Sequence, residues 1–432
     1  MPKTPIITRR KFLKRATAAA AGVAGFPYLI PASALGKTGN VAPSNRIVIG
    51  VIGTGGQGMY DMRGFLNKEE AQVVAVCDVD TDHRNQARDT VNEKYGNRDC
   101  ATYNDFRELI ERSDIDAVLL ALPDQWHAIS AIMAVRAGKD VHAQKPLAYN
   151  IAEGRAIVEA VKRYDIVWQT GSQQRSDWRF RFACELVRNG RIGKVDTVKV
   201  GLPNRNHVRG DDTQPAPVPA GFDYDMWLGP APWAPYNPGR CHWNFRWISD
   251  YSGGQITDWA GHHCDIAQWG MGTELTSPIE IEGTGVFPRA SLHDTVEDYR
   301  FKCKYEEGFT MIVAGAFTQG VRFEGSDGWV FVSRSKIDAE PKSLLTSVIG
   351  PDEIHLYKSD DHQQNFLDCV RTRSRTVAPV EVAHRSIMIG HLGVIALKLG
   401  RKVEWDPQKE RFINDTEADR LLSRPMRSPW HL

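Results

Sequence analysis

The chain has 432 residues, and its 54 lysines and arginines nearly balance 53 aspartates and glutamates, for a formal net charge of +1. Such a balance lacks the basic excess that nucleic-acid-binding proteins carry. The seven cysteines are scattered singly without CxxC spacing, which argues against a disulfide framework. The length exceeds what one hydrophobic core usually serves and favours two domains.

The first 34 residues have the three parts of an export signal. A basic stretch without acidic residues precedes the weakly apolar run ATAAAAGVAGFPYLI, and the small residues of PASALG suit a peptidase. Arg9 and Arg10, followed by FLK, resemble a twin-arginine signal. The apolar run is shorter than the roughly 20 residues that cross a bilayer, so no stable membrane anchor is expected. An ordinary basic amphipathic helix is the alternative interpretation.

From Asn45 onward, predicted strands alternate with predicted helices. The strands are RIVIGVIG, AQVVAVCD, DAVLLALP, DVHAQKP and IVWQTG, and their apolar runs are typical of strands buried on both faces. Helical periods lie between them, as in QWHAISAIMAVRAGK, which ends at Gly138, and in IAEGRAIVEAVKRYD. This alternation predicts an α/β fold with a doubly wound parallel sheet, a Rossmann domain over residues 45–170.

A glycine-rich turn follows the first predicted strand. Its Gly53-x-Gly55-x-x-Gly58 spacing lies between a buried strand and a helical pattern, the context in which such glycines bind a dinucleotide. Gly53 allows the tight turn, Gly55 lets the backbone approach a pyrophosphate, and Gly58 lets the helix pack closely. The whole turn is therefore predicted to contact the cofactor, through Gly53, Thr54, Gly55, Gly56, Gln57 and Gly58.

The end of the second predicted strand supplies a carboxylate for the same cofactor. Asp78 follows Gly58 by twenty residues, where it can accept hydrogen bonds from ribose hydroxyls. It favours NAD, because it would repel a 2′-phosphate, although the nearby Arg84 leaves NADP open. The chain has no GxxxxGK[ST] motif, so nucleoside-triphosphate hydrolysis has no support.

The alternation of strands and helices ends after Gly193. Residues 204–254 are rich in Pro, Trp and Gly and are expected to pack over a site. Further on, EDYRFKCKY and FTMIVAGAF are strand candidates, and NFLDCVRTR and VAHRSIMIGHLGVIALKLG have helical period. These patterns predict a substrate-binding α+β domain with a large, mostly antiparallel open sheet over residues 171–405, and a C-terminal tail over residues 406–432.

Three runs together resemble the Gfo/Idh/MocA oxidoreductase family, which is named after glucose–fructose oxidoreductase and inositol dehydrogenase. They are LPDQWHAISAIMAVRAGKDVHAQKPLAYN, GSQQRSDWRF and ITDWAGHHCDIAQWG, and the resemblance covers residues 46–405. It implies an NAD(P)-dependent oxidoreductase that acts on CH–OH groups, with a Rossmann domain followed by a large open sheet. Since that sheet commonly pairs between subunits in the family, it also implies a homo-oligomer.

The resemblance assigns catalytic roles to three residues. The Glu-Lys-Pro motif of the family appears as Gln144-Lys145-Pro146, and its Asp-x-x-x-His motif begins at Asp258 and ends at His262. Lys145 and His262 are the implied acid/base groups, and Asp258 orients or polarises them. Oxidation of a secondary alcohol needs such a base for its proton and a donor for the developing alkoxide. Gln144 departs from the family glutamate, which leaves the protonation state and role of Lys145 open.

The remaining site residues are predicted as two sets. By resemblance, the cofactor crevice is lined by Leu122, Pro123, His127, Gln144 and Lys145, although PDQWH could simply start a helix. The predicted substrate contacts are Gln173, Arg175, His242 and His263. The aromatic rings around His242 suit a small-molecule carbohydrate, unless they are only core. No metal is expected in the run from His262 to Asp265, because adjacent helical residues point in different directions.

Export and a nicotinamide cofactor together constrain the function. The cofactor is scarce outside the cytoplasm, so we expect the protein to fold around it and leave through the twin-arginine export machinery, for a periplasmic or otherwise exported location. A tightly bound cofactor must then be regenerated in place. An oxidoreductase that oxidises one sugar or polyol and reduces another satisfies this requirement. So does a glycosidase that oxidises a sugar hydroxyl, eliminates the aglycone, adds water and returns the hydride.

Overall fold

The computed structural model describes residues 45–210 and 213–432, so the predicted signal over residues 1–34 lies outside the described part. The chain divides into a unit of residues Met1–Arg46 and a unit of residues Ile47–Leu432. The strands and helices with defined bounds lie in the second unit.

A six-stranded parallel sheet forms the first layer of the fold. Its strands are β1 Ile47–Ile52, β2 Ala71–Cys77, β3 Ala101–Tyr103, β4 Ala117–Leu120, β5 Asp140–Ala143 and β6 Trp168–Thr170, in the order β3-β2-β1-β4-β5-β6. All neighbouring pairs are parallel. The strand order reverses between β1 and β4, and a doubly wound sheet binds its ligand at the carboxyl ends of such a pair. The predicted Rossmann fold is confirmed.

Five helices connect these strands. They are α1 Gly56–Leu66, α2 Thr81–Tyr95, α3 Phe106–Ile110, α4 His127–Arg136 and α5 Ile151–Tyr164. The Asp80 side chain caps α2 by accepting hydrogen bonds from two backbone N–H groups of the first turn, and Gly96 ends the helix with a φ of 66°. Caps of this kind fix where each helix starts and stops, and therefore where the loops at the sheet edge lie.

A nine-stranded sheet follows in the second half of the chain. Its strands are β7 Val195–Gly201, β8 Glu280–Val286, β9 Glu297–Lys304, β10 Thr310–Ala314, β11 Gly320–Gly325, β12 Gly328–Val332, β13 Ile337–Glu340, β14 Val403–Asp406 and β15 Arg411–Phe412. The order is β13-β12-β11-β7-β10-β9-β8-β14-β15, and only β7 and β10 pair in parallel. Along β9 buried and exposed residues alternate, which is typical of a sheet with one face in water. The predicted open sheet is confirmed.

Three long helices pack against this sheet: α6 Trp178–Arg188, α8 Gly254–Met271 and α10 Val380–Leu399. The other helices in this half of the chain are α7 Tyr224–Leu228, α9 His362–Thr372 and α11 Thr416–Asp419. A Cβ atom on Gly270 would lie 2.5 Å from the ring of Phe323, and one on Gly393 would lie 2.5 Å from Phe301. Glycines therefore let α8 and α10 approach the sheet closely.

Helices α9 and α10 come late in the chain and pack in the interior of the protein. Helix α9 contributes Phe366 and Leu367 to the core beside β1. Residues that follow position 170 therefore help to form the core of the Rossmann sheet. Helix α10 is the one helix in the described ranges with the length and apolar composition to cross a membrane, and 83% of its most apolar stretch is buried inside the protein.

The C-terminal tail docks on the body of its own chain. The Trp430 ring packs edge-on against Trp126 at a centroid distance of 4.7 Å. The Arg427 backbone N–H donates to the Pro230 carbonyl at 2.9 Å, and the Arg427 guanidinium donates to Asp225 at 2.6 Å. The tail is thereby fixed against the loop that carries α7.

Candidate active site

The glycine-rich turn joins β1 to α1 with little room for side chains. Gly53 has a φ of 86°, and a Cβ atom there would lie 2.3 Å from the Ala121 carbonyl oxygen. A Cβ atom on Gly58 would lie 1.9 Å from the Gly53 carbonyl oxygen, so only glycine lets the helix pack this closely. Gly55 and Gly56 differ, because no atom lies within 4 Å of an added Cβ. Their backbone is open to a ligand.

The start of α1 and the end of β2 complete this half of the site. Helix α1 begins at Gly56 with no side chain capping its N–H groups, an arrangement that favours phosphate binding. One Asp78 carboxylate oxygen accepts hydrogen bonds from the Thr54 backbone N–H at 2.7 Å and from its hydroxyl at 3.1 Å. Open backbone, free helix N–H groups and a fixed carboxylate at the strand end fit a dinucleotide.

Arg84 bears on the choice between NAD and NADP. Its guanidinium donates to the Asp78 backbone carbonyl at 2.5 Å and to the Thr81 hydroxyl at 3.2 Å. The side chain is thus held against the protein itself, and the carboxylate of Asp78 remains the charged group at the end of β2. This arrangement favours NAD.

One cavity of about 490 Å³ brings most of the predicted residues together at the carboxyl edge of the parallel sheet. The predicted residues among its walls are Gly53, Gly55, Gly56, Gln57, Asp78, Leu122, Pro123, Gln144, Lys145, His242 and Asp258. Trp243 and Phe245, two of the aromatic rings singled out around His242, also line the cavity. The residues that were missed include His83, Arg209, Phe222, Trp227 and Arg246. Most of the missed residues belong to the irregular segment 204–254, where no spacing rule points to individual side chains.

Lys145 and Asp258 form an ion pair in the cavity wall. The Lys145 ammonium lies 2.7 Å from one Asp258 carboxylate oxygen, and Arg246 Nε lies 3.5 Å from the same oxygen. Burial raises the pKa of Asp258, but the charges of Lys145 and Arg246 outweigh burial and leave the pKa below its ordinary value. A Cβ atom on Gly261 would lie 3.3 Å from the Lys145 Cβ, so this glycine lets α8 pass the lysine closely. The carboxylate is ionised and holds the ammonium in place.

His262 lies on α8, four residues after Asp258, and is 3% exposed. Its Nδ1 atom is buried without a hydrogen-bond partner among the described residues. Burial, followed by the positive charges of Lys145 and Arg334, holds the pKa of His262 well below its ordinary value. The imidazole is therefore neutral, and it is not among the residues that line the cavity.

Two family models match the chain. One is the oxidoreductase family's NAD-binding Rossmann fold, over residues 47–172, and the other is its C-terminal alpha/beta domain, over residues 195–432. The chain belongs to the Gfo/Idh/MocA oxidoreductase family. The prediction of an NAD-dependent oxidoreductase is thereby confirmed.

Individual relatives in this family have several named activities. The chain is 29% identical to myo-inositol 2-dehydrogenase of Thermotoga maritima, over 86% of this chain and 99% of that protein. It is 33% identical over 171 residues to alpha-N-acetylgalactosaminidase of Shewanella oneidensis, which covers 36% of this chain and 37% of the relative.

Solved structures of the family share the fold. An aldose-aldose oxidoreductase from Caulobacter crescentus, complexed with glycerol, gives a TM-score of 0.62 at 19% identity, covering 83% of this chain and 99% of that one. A scyllo-inositol dehydrogenase from Lactobacillus casei, with bound NAD(H) and scyllo-inositol, gives a TM-score of 0.58 at 18% identity, covering 83% and 99%. These likenesses show a common architecture.

The structure places three predicted substrate contacts outside the cavity wall. Arg175 is 3% exposed, and its guanidinium pairs with Asp265 at 2.6 Å and with Glu274 at 2.9 Å, so its charge is used inside the protein. His263 is buried, and its Nδ1 atom lies 2.9 Å from the Gly201 carbonyl oxygen. Gln173 is exposed but does not line the cavity. Arg175 and His263 are thus corrected to structural residues.

Three predicted cofactor contacts also have structural partners. The two ring nitrogens of His127 lie 2.8 Å from the Leu122 carbonyl oxygen and 2.5 Å from that of Pro146, so this histidine links the loops after β4 and β5. Thr54 holds the Asp78 carboxylate, and Gly58 packs against Gly53. These contacts support the turn and the crevice, and the one at Gly58 agrees with its predicted role in close helix packing. The cofactor contacts of the three residues stay predictions.

His242 lines the cavity, but at the end near Asp78. Its Nε2 atom lies 3.6 Å from an Asp80 carboxylate oxygen, and its ring centroid lies 5.0 Å from that of His83. The donor atoms of these three residues lie within 4.8 Å of one another, close enough for a metal ion. The same side chains border the space beside Asp78, where a ribose would lie. His242 therefore lines the cavity at the end near Asp78, and its contact with substrate stays a prediction.

Residues 204–210 and 213–254, here called the strap, include a stretch around Phe222 that lies across the carboxyl end of β2. Phe222 forms a β-bridge with Asp80, and the Gly221 carbonyl oxygen accepts from the Thr81 backbone N–H at 2.9 Å. On the neighbouring loop the Asn104 amide donates to the Asp223 carboxylate at 2.8 Å. The prediction that this segment packs over a site agrees with these contacts.

Proposed function

We propose that the protein transfers hydride between bound NAD and a hydroxyl-bearing carbon of a sugar, polyol or glycoside. The main support for this proposal is the Lys145–Asp258 ion pair, which lines the same cavity as the glycine-rich turn. The Lys145 ammonium and the dinucleotide-binding backbone thus face the same space. The inositol dehydrogenase among the relatives, which spans nearly the whole chain, supports a polyol or sugar as substrate.

The residues that would hold NAD are those of the turn and strand end. Gly55 and Gly56 offer open backbone N–H groups to a pyrophosphate, and Asp78 offers a carboxylate to a ribose. When bound, NAD accepts hydride from the substrate carbon or returns it. The chain itself has to place the substrate and move the hydroxyl proton.

Lys145 and His262 share the proton chemistry. Asp258 keeps the Lys145 ammonium at the cavity wall, where its Nζ atom donates a hydrogen bond to the substrate oxygen and stabilises negative charge there. The neutral His262 imidazole, on the helix that carries Asp258, would be the acceptor of the hydroxyl proton. Arg246 supports the same Asp258 oxygen and thereby keeps the carboxylate ionised.

The proposal includes a cofactor that stays bound through the catalytic cycle. The strap crosses the end of β2 beside Asp78, and its Phe222 and His242 side chains line the cavity there. On its outer side, Arg427 of the tail fixes the loop around α7. These contacts hold the strap against the end of β2. The strap therefore supports slow release and regeneration of the cofactor in place.

We also propose that the protein is exported through the twin-arginine machinery and assembles as a homo-oligomer. Export rests on the N-terminal pattern around Arg9 and Arg10 and on the need to carry a loaded cofactor. Oligomerisation rests on the open face of the nine-stranded sheet, where the half-buried side chains of Arg322 and Trp329 stack at 3.8 Å. Cell fractionation and light scattering of the purified protein test these two points.

A redox-neutral glycosidase is the second candidate. The 33% identical alpha-N-acetylgalactosaminidase supports it, although that match covers little more than a third of either protein. The same Lys145, Asp258 and His262 would serve, since transient oxidation of a ring hydroxyl acidifies the neighbouring C–H bond. Net cleavage of a glycoside without a second redox substrate separates this function from the first.

One panel of substrates tests both candidates. The purified protein is incubated with inositols, aldoses and nitrophenyl glycosides, and the absorbance of reduced nicotinamide and of nitrophenol is followed. Reduced nicotinamide with a polyol or aldose, reversed by a second sugar, is the expected result. Nitrophenol release without added cofactor would favour the glycosidase. Protein that binds NAD but produces neither signal contradicts the proposed function.

A further inference from the structure

Gln144 precedes the active-site lysine where the family has glutamate, and a buried carboxylate holds its amide. The Gln144 Nε2 atom donates to one Asp61 carboxylate oxygen at 2.7 Å, and Gln57 Nε2 donates to the other at 3.1 Å. Asp61 lies on α1, the helix that starts at the glycine-rich turn, and is 3% exposed. Position 144 lacks the family carboxylate, but the Asp61 carboxylate on α1 is hydrogen-bonded to the Gln144 amide that replaces it.

The backbone fixes Gln144 from the opposite side. Its own N–H donates to the Leu120 carbonyl oxygen at 2.8 Å. A Cβ atom added to Gly171 would lie 2.5 Å from Gln144 Nε2 and 2.9 Å from its Oε1. The amide therefore lies flat against a bare stretch of backbone after β6. Its place is determined by sterics, and its orientation by the hydrogen bond to Asp61.

We propose that Asp61 is a positioning residue that keeps the Gln144 amide nitrogen turned inward, so that the cavity beside Lys145 meets the amide oxygen. An ionised carboxylate has no proton to donate, so it accepts only the NH₂ side of the amide. A flipped amide would bring two acceptors together without a hydrogen bond. The inference rests on the proposed function, because it assigns the Asp61–Gln144 pair to the NAD cavity.

The proton on Asp61 controls this orientation. Burial raises the pKa of Asp61 to about 6, although hydrogen bonds from Gln57 and Gln144 and the charge of Lys145 lower it. Lys145 is the charged group that acts on Asp61, and the two glutamines are neutral. Above this pH the carboxylate fixes the amide, whereas below it the protonated acid can also donate, and the amide is free to turn.

An exchange of the two side-chain types tests the inference. Dissociation of radiolabelled NAD is measured at pH 8 and pH 5 for the wild type, Asp61→Asn, Gln144→Glu and the double variant. Loss of one oriented hydrogen bond corresponds to roughly 3- to 10-fold faster release. We expect this acceleration for the wild type at pH 5 and for Asp61→Asn at both pH values. The double variant should release NAD at the wild-type pH 8 rate, because the amide introduced by Asp61→Asn can donate to the new carboxylate.

Two further variants separate positioning from general stability. Gly171→Ala has no backbone strain but displaces the amide, so it should accelerate release at both pH values. Asp140→Asn removes another buried carboxylate, one that pairs with Arg373 at the start of β5, and should leave release unchanged.

Two results would overturn the inference: Asp61→Asn with wild-type release at both pH values, or a double variant no better than its single parents. A wild type that binds no NAD would instead refute the proposed function, which makes the two failures distinguishable. If NAD binds but no sugar or polyol reacts, the release rates still decide the role of Asp61.

Discussion

The cavity has two walls of different construction. The first wall consists of strand ends and a helix start, and it meets a ligand with open backbone at Gly55 and Gly56 and with the carboxylate of Asp78. The second wall is the strap, an irregular segment that contributes side chains. There Arg209 stacks on Trp243 at 3.8 Å and Arg246 lies 4.8 Å from the same ring. Under the proposed function, backbone geometry would recognise the cofactor, and aromatic and cationic side chains would border it.

A change to the Lys145–Asp258 ion pair should have the largest effect on activity. Lys145→Ala removes the donor to the substrate oxygen and leaves Asp258 with Arg246 as its cation. We expect kcat to fall by about 10²- to 10⁴-fold while bound NAD is retained. Steady-state kinetics and nucleotide content measure the two properties. Lys199→Ala, on the open sheet, is the control and should change neither. Turnover at the wild-type rate in Lys145→Ala would remove this lysine from the chemistry.

A buried charge in the first wall should affect stability with a defined pH dependence. The pKa of Asp61 is raised to about 6 in the folded protein, so the folded state binds more protons than the unfolded state between pH 4 and 6. Stability contributed by this group therefore falls as the pH rises through 6. Asp61→Asn has no carboxyl group to ionise, so its stability should not fall in this way. Its free energy of unfolding at pH 8 should exceed that of the wild type by about 3 kcal/mol.

Urea unfolding of the nucleotide-free proteins at pH 4, 6 and 8 measures this difference. The gain of Asp61→Asn should shrink toward zero at pH 4, where both side chains are neutral. If the stability gain of Asp61→Asn is constant across this range, or if the variant is less stable than the wild type at pH 8, ionised Asp61 does not destabilise the folded protein.

The open glycines of the first wall should separate cofactor binding from folding. Gly56→Ala meets no atom within 4 Å and adds a good helix former at the start of α1, so stability should stay within about 1 kcal/mol of the wild type. The methyl group nevertheless stands where the phosphates approach, and NAD should dissociate about 10-fold faster. Gly58→Ala is the contrasting variant, because its Cβ would collide with the Gly53 carbonyl and lower the melting temperature. Unchanged NAD release in Gly56→Ala would place the pyrophosphate elsewhere.

The strap should show the smallest effect, confined to release. Asn104→Ala removes the 2.8 Å hydrogen bond to Asp223 that ties the strap to the first wall. We expect NAD to dissociate several-fold faster, with kcat for a hydride-transfer substrate unchanged, since one hydrogen bond contributes about 1 kcal/mol. Trp233→Ala changes a strap residue that is 70% exposed and should have no effect. Equal release from both variants would mean that the strap does not retain the cofactor.

The first wall could be predicted from the sequence because its information is local. Apolar runs identify β1, β2, β4, β5 and β6, and the glycine spacing identifies the turn between β1 and α1. Strand β3 was missed, since it has three residues and none is buried. Lys145 and Asp258 were predicted together only through the family motifs, and the structure places them 2.7 Å apart.

The second wall could not be predicted in the same way, because it belongs to an irregular segment without a spacing pattern. Arg246 of this segment meets Asp258 at the start of α8. In the first wall, the pairing of Asp61 with Gln144 was also missed, because the two residues are 83 positions apart. Arg175 shows the opposite error. It lies in a sequence run that resembles a family active-site motif. Its partner Asp265, however, is 90 residues away, and the two form a buried ion pair. Local patterns place residues near a site, and long-range pairing decides which of them face it.

The most direct test of a cofactor enclosed between two walls is the nucleotide content of the protein as purified. The full chain is produced without added cofactor, freed of small molecules, unfolded, and the released nucleotide is identified by mass and absorbance. The enclosed cavity predicts NAD at close to one molecule per chain. Protein that emerges empty and binds NAD only weakly would contradict retention by the strap and, with it, regeneration of the cofactor in place.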